Sequence, residues 1–360
     1  AYEILRWLVG SEMCIRDRGK GKVTVLLTDT NAMVKPGETV KLKIEFYDNE
    51  KCCGQPVGVY EDAKLARTRH WEFYYSQTMH TDLGYTDYQE DLRPLFSAFL
   101  DTVKQYMKNS DQRETDVQKY KYAIESGWVM GEGYMSCRNA EEIQEILDLI
   151  EKDRMTIGAG CCNHTMECFS TEETARAAYY TNRYLVDKLG ISPSTTQRMF
   201  DNPAFSKSYV DVAASAGIKY GIHSMNPDRS PYYKKKEYDL FYMQGNDPKN
   251  KLLIFNGKTY GHNYGFGGTH NNPNYGSAKI AKEELMSVIA ELESRTGRRS
   301  YPYDKFPLPL IPYGDNKQPM EMPLKIANEI NRSYEEEGYV YPKITVDFSE
   351  KFFKDVEREY

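Results

Sequence analysis

No apolar run in these 360 residues reaches the ~20 that a membrane-spanning helix needs. Dense basic patches are equally scarce. Lys234-Lys235-Lys236 is the one such run, Glu237 and Asp239 follow it, and it reads as a solvated loop. With a formal charge of −6, the chain carries too little clustered positive charge for a phosphate backbone, which argues against nucleic-acid binding. Internal repeats and low-complexity segments are missing. So is a disulfide framework: seven cysteines are an odd number, and four of them sit in the doublets Cys52-Cys53 and Cys161-Cys162. Cys161-Cys162-Asn163-His164 with Cys168 offers part of a zinc knuckle but lacks a second, properly spaced pair. It follows the apolar run Met155–Ala159, so buried free thiols are expected there, and they lean towards a reducing compartment.

What is present is an ordinary globular composition, 40% hydrophobic and 28% charged, with length for one large domain and a small one or for two of medium size. The 30 tyrosines stand out. A flat apolar ring with a hydroxyl suits sugars, whose faces are apolar and whose rims are hydroxylated; a compositional habit is the other explanation. Leu5–Arg18, LRWLVGSEMCIRDR, resembles a translated sequencing adapter, so Ala1–Arg18 with Cys14 is set aside as a non-native segment. Both ends read as cut.

Two regions of different character follow. Residues 19–62 are short and β-like. Val23–Leu27 is an apolar-rich run, Lys35–Glu38 a turn, Val40–Phe46 an alternating strand and Asp48–Gly54 a second turn, which together suggest the tail of a β-sandwich of immunoglobulin-like type. Residues 68–360 alternate strand and helix. Trp71–Met79, Tyr120–Ile124, Met155–Ala159, Thr195–Phe200 and Ile218–His223 read as strands. Helical spacing marks Tyr88–Lys108, Ala140–Lys152 and Lys207–Ala216, and a capping box at Ser170-Thr171-Glu172-Glu173 opens a helix to Leu189. This order predicts an α/β fold with a parallel sheet or barrel.

Three segments carry candidate chemistry. His80-Thr81-Asp82 follows the first strand of this region; residues i and i+2 of a strand share a face, so an imidazole and a carboxylate can converge on zinc or another divalent cation. A hydrogen-bonded pair at a strand end is the alternative. Asp201 follows the strand TTQRMF, where α/β folds place functional groups; a turn or helix cap before Asn202-Pro203 is the alternative. Asp315, after the apolar stretch PLPLIPYG, supplies a second carboxylate of the kind glycoside hydrolysis requires, or shapes a turn after Gly314. The loop Tyr260–Tyr275 is rich in Gly, Asn, His and aromatic residues. It can hydrogen-bond sugar hydroxyls through His262, Asn263 and His270, or be a surface loop without a ligand. His164 and Trp128 read as structural.

Together these segments resemble the α-mannosidases of glycoside hydrolase family 38, over about residues 70–360. HTDLGYTD is similar to that family's first metal motif, and Ile311–Asn316 to its later Gly-Asp-Asp segment. The resemblance implies a seven-stranded (β/α) barrel of the glycoside hydrolase and deacetylase type. It implies His80, Asp82 and Asp201 as metal ligands, Asp201 also as nucleophile, and Tyr85 as the aromatic that stacks on the sugar. Asn316 stands where the family has a second carboxylate, which leaves Asp315 as the provisional acid and base. The fourth metal ligand is expected beyond Tyr360. A retaining reaction on a glycan follows, with carboxyl groups about 5–5.5 Å apart. Two rivals remain: a metal-dependent polysaccharide deacetylase, whose usual His-x-x-x-His pair is missing here, and a non-catalytic carbohydrate-binding or cell-surface module.

Overall fold

The computed structural model describes residues 39–47, 54–66, 69–202, 205–226, 239–257, 260–268, 272, 275–297, 300–311, 314–338 and 340–360. The adapter-like Ala1–Arg18, Val23–Leu27, Cys52-Cys53, Lys234–Lys236 and His270 lie outside them. The chain divides into two compact units, Ala1–His70 with Met286–Ser300, and Trp71–Leu285 with Tyr301–Tyr360.

In the first unit the alternation of VKLKIEF forms strand β1 (Thr39–Phe46), antiparallel to β2 (Gly58–Ala66). Thr39 faces Ala66 and Phe46 faces Gly58, with a register shift between Leu42 and Ile44.

The second unit alternates strand and helix. Its elements are β3 (Glu72–Gln77), α1 (Gln89–Gln112), β4 (Tyr122–Ile124), α2 (Ala140–Glu151), β5 (Met155–Ile157), α3 (Thr171–Tyr179), β6 (Thr196–Asp201), α4 (Lys207–Ser215), β7 (Tyr220–Met225), β8 (Asp239–Gln244), β9 (Lys251–Asn256), α5 (Ala278–Glu293, of which the part from Met286 belongs to the first unit), β10 (Lys305–Leu310), α6 (Met322–Glu336), β11 (Lys343–Val346) and α7 (Ser349–Glu359). The capping box at Ser170 is formed on both arms, Glu173 N–H to Ser170 Oγ and Ser170 N–H to Glu173 Oε2. α3 runs on through a π-helical turn, Tyr180–Leu185, to a last turn that stops at Gly190, whose φ of +67° is the left-handed conformation of a helix end.

The parallel ladders are β10–β3–β11, β4–β5 and β6–β7–β9, with β8 antiparallel on the outer edge of β9. The architecture is therefore mixed α/β, in separate ladders rather than a closed barrel among the described residues. One break has a plain cause. The carbonyls of Asp304 and Leu310 face β3, so the alternate positions Pro307 and Pro309 turn to the other side of β10, where they offer no N–H to a further strand. β5 does continue into β6 through one bond, Ala159 N–H to the Thr196 carbonyl at 3.0 Å.

Strands covered on both faces read as near-continuous apolar runs, as β10 and the Phe73–Tyr75 part of β3 do. Trp71, Phe73, Tyr74, Tyr75 and Phe306 are all buried around them. Helix α4 packs Tyr209, Val210 and Ala213 on a core with Met199 and Ile254. Among the charged groups that lie inside, Arg198 of β6 is 2% exposed, and its Nη2 stands 3.5 Å from Glu350 in the first turn of α7. Of the free thiols described, Cys161, Cys162 and Cys137 are half-buried and Cys168 is exposed, so the buried thiols expected from Met155–Ala159 are not found. The apolar run ends at Ala159, before the cysteines, in a loop that follows β5.

Candidate metal centre

Every group of the centre stands at or just past the C-terminal end of a parallel strand, where α/β sheets bind ligands. β3 ends at Gln77, and His80 and Asp82 follow in the loop beyond it. Their meeting is therefore not the i, i+2 register of a strand. The loop folds back, with Gly84 at a φ of +86°, and brings His80 Nε2 to 3.2 Å from Asp82 Oδ1. From the end of β6, Asp201 Oδ2 reaches 4.0 Å from the same nitrogen, and from the loop after β10, Asp315 Oδ1 reaches 3.8 Å. Asp201 holds a φ of +66°, a conformation few residues other than glycine adopt and one that concentrates at functional sites. The ligand atoms of His80, Asp82 and Asp201 all lie within 4.8 Å of one another.

The second nitrogen of His80 is controlled from β4. Glu125, directly after Ile124 and only 1% exposed, places Oε1 3.4 Å from His80 Nδ1. Its other oxygen accepts the Thr81 N–H at 2.7 Å and the Thr81 hydroxyl. Gly158, directly after β5, makes room for its backbone: a Cβ there would stand 1.9 Å from the Glu125 carbonyl oxygen. Asn163 Nδ2 also lies 3.1 Å from His80 Nδ1, but that amide donates to the Phe200 carbonyl while its oxygen accepts from Asn202. The carboxylate of Glu125 is therefore the acceptor for an Nδ1–H, and Nε2 is the nitrogen that faces the three aspartates. A carboxylate behind a histidine in this way fixes the tautomer of a metal ligand.

Without a cation the surrounding carboxylates keep a proton on Nε2, which a bound metal would displace. Burial opposes charge on His80, yet hydrogen bonds to Asp82 and Glu125 hold its proton, up to about 10. One imidazolium cannot offset the four carboxylates Asp82, Glu125, Asp201 and Asp315. Burial pushes the Asp315 carboxyl up, and Asp82 and Asp201 add to this against the pull of His80 and the Tyr260 hydroxyl. Tyr260, its ring 4.8 Å from that of His80, is pushed up by burial and by Asp201 and Asp315. Asp201 Oδ1 and Asp315 Oδ1 are buried without a hydrogen-bond partner. One imidazole and the carboxylates converging on it, in an excess of negative charge, fit a divalent cation, and this donor set suits zinc or a metal of similar taste.

The fold is similar to that of an alpha-mannosidase. The enzyme from Enterococcus faecalis V583 aligns with 80% of this chain at a TM-score of 0.60 and 14% identity, and the chain spans 29% of that protein's length. A glycosyl hydrolase family 38 protein from Enterococcus faecalis aligns with 82% of the chain and 28% of its own length, at 13% identity and a TM-score of 0.49. A 4-alpha-glucanotransferase from Thermococcus litoralis aligns with 79% and 40%, at 12% identity and 0.47. No family model matches the sequence, and no curated protein matches it. At these identities the likeness is one of fold.

Tyr85 is 74% exposed on the loop after Asp82. His262 lies 3.6 Å from Glu284 of α5, with its ring edge-on to Tyr264. Asn263 is buried, and both ends of its amide meet backbone: Nδ2 donates to the Gly268 carbonyl and Oδ1 accepts the Ile311 N–H. His164 accepts a structural place, stacked on Phe169 with Nδ1 3.0 Å from the Cys162 carbonyl. Glu125, Asn163 and Tyr260 are members of the centre that the motifs did not mark. Glu125 had a signal, a carboxylate directly after a strand, the same signal that marks Asp201.

Glu125→Gln is expected to lower the affinity for Zn²⁺ about 10–100-fold, the usual effect of losing a carboxylate behind a metal-bound histidine. Isothermal titration checks it; unchanged affinity would remove Glu125 from the centre.

Proposed function

We propose that this chain carries the catalytic centre of a metal-dependent retaining glycoside hydrolase acting on α-mannosides of glycans. The observation that carries the reading is the convergence of His80, Asp82 and Asp201, whose ligand atoms all lie within 4.8 Å of one another. The fold likeness to an alpha-mannosidase supports it, as does the strand order, which we read as an incomplete barrel of the same type.

His80, Asp82 and Asp201 would hold the cation. When bound, it would supply a Lewis-acidic anchor for sugar hydroxyls beside the scissile bond. Asp201 attacks the anomeric carbon, forming the glycosyl ester as the bond to the leaving oxygen breaks. Asp315 donates a proton to that oxygen, then takes one from the water that hydrolyses the ester. Tyr260, hydrogen-bonded to Asp315, orients this carboxyl and closes one side of the centre. Tyr85 on the exposed loop, and His262 on the loop that opens with Tyr260, would serve further sugar units, with His270 proposed from its sequence alone.

A second reading, a sugar-binding module without turnover, draws on Asn316, an amide where the resemblance calls for a carboxylate. Hydrolysis of an aryl α-mannoside with and without a chelator separates the two. Chelator-sensitive turnover, restored by added Zn²⁺, is the expected result. Sugar binding that ignores the chelator, with no turnover by the longest natural form of the protein, would favour the module.

A further inference from the structure

We infer that Asn316 is a positioning residue that holds the His80–Asp82 arm of the metal centre, and that this position requires an amide rather than a carboxylate. The inference rests on the metal centre proposed above and adds to it a group that touches no ligand itself.

Asn316 makes a closed set of bonds to the arm. Its backbone N–H donates to the His80 carbonyl at 3.1 Å. Its Oδ1 accepts the Asp82 N–H at 2.8 Å, and its Nδ2 donates to the Asp82 carbonyl at 3.1 Å and to the Thr86 hydroxyl. The side chain thus pairs with both backbone groups of one residue, as a neighbouring strand would, beyond the point where β3 and its ladder end. That residue is Asp82, whose carboxylate lies 3.2 Å from His80 Nε2. Asn316 reaches it from a φ of +51°, which asparagine, aspartate and glycine tolerate best. Aspartate would fit the space and the backbone. It has no N–H to give, however, so the bond to the Asp82 carbonyl would become an oxygen–oxygen contact, with a further negative charge beside Asp82 and Asp315.

Two variants separate this role from the loss of an acid. If Asn316 merely replaces a lost carboxylate, Asn316→Asp restores function. If it positions the arm, Asn316→Asp weakens the centre, and Asn316→Gly, which keeps the backbone freedom but loses the side chain, does the same. Zn²⁺ titration is expected to show both variants binding about 10–100-fold more weakly than wild type. Metal-free melting temperatures should stay within about 3 °C, since the change falls in a half-buried loop outside the strands and helices of the core. Wild-type affinity in Asn316→Asp would overturn the inference, and so would a parallel fall of metal-free stability that accounts for the loss of affinity. Hydrogen exchange of the Asp82 amide, measured without metal, reads the clamp itself: faster exchange in Asn316→Gly is expected, and unchanged exchange would overturn it. No Zn²⁺ uptake by wild type would overturn the metal centre and this role with it, an outcome distinct from weakening confined to the variants.

Discussion

Asp201→Asn is expected to lower turnover of an α-mannoside by about 10⁴-fold or more, the scale on which loss of a nucleophile is felt. The amide keeps the shape and the tolerance for a φ of +66°. It removes the negative charge that attacks the sugar and that turns towards His80 Nε2 at 4.0 Å. Both roles fall together, so Zn²⁺ affinity should drop as well. Metal-free stability should hold or rise, because one of four crowded carboxylates has been neutralised. Steady-state kinetics with a melting curve in chelator checks the pair of expectations. Turnover within tenfold of wild type would deny Asp201 the nucleophilic role.

The largest loss of stability is expected from Glu350→Ala. Arg198 sits inside the unit at 2% exposure, burial pulls its pKa down, and Nε and Nη1 have no hydrogen-bond partner. Glu350 faces it at 3.5 Å and is itself held by the Ser194 hydroxyl at 3.2 Å. Removing one partner of a buried pair strands the other, which costs about 3–5 kcal/mol. Glu350 reaches water with 14% of its side chain, so about 3 kcal/mol is the fitting end of that range. The double replacement Arg198→Met with Glu350→Leu removes the stranded charge and should recover most of the loss. Denaturant unfolding measures both. A loss under about 1 kcal/mol for Glu350→Ala would class the pair with exposed salt bridges.

Local patterns in the sequence were enough for much of this molecule. Alternation marked β1, the capping box at Ser170 marked α3, and carboxylates after strands marked Asp201 and Asp315. What the sequence hid is what long-range contacts decide. His80 and Asp82 do converge, but through a loop braced by Glu125 and Asn316, residues 45 and 234 positions away along the chain. Asn263 carries the letters of a sugar ligand, yet its amide is taken up by Gly268 and Ile311. The π-helical turns at Val129–Tyr134 and Tyr180–Leu185 follow no local signal read here. Nor do Pro307 and Pro309 announce, as letters, that β10 ends its ladder; that follows only once its register with β3 is known.

The central claim is that His80, Asp82 and Asp201 hold one divalent cation. Titrating the metal-stripped chain with Co²⁺ tests it most directly, because the visible bands of the bound ion report its ligands. One Co²⁺ per chain is predicted, displaced by Zn²⁺, with the bands abolished in His80→Ala and Asp201→Asn. Absence of bands in the folded wild type, or equal uptake by His80→Ala, would contradict it.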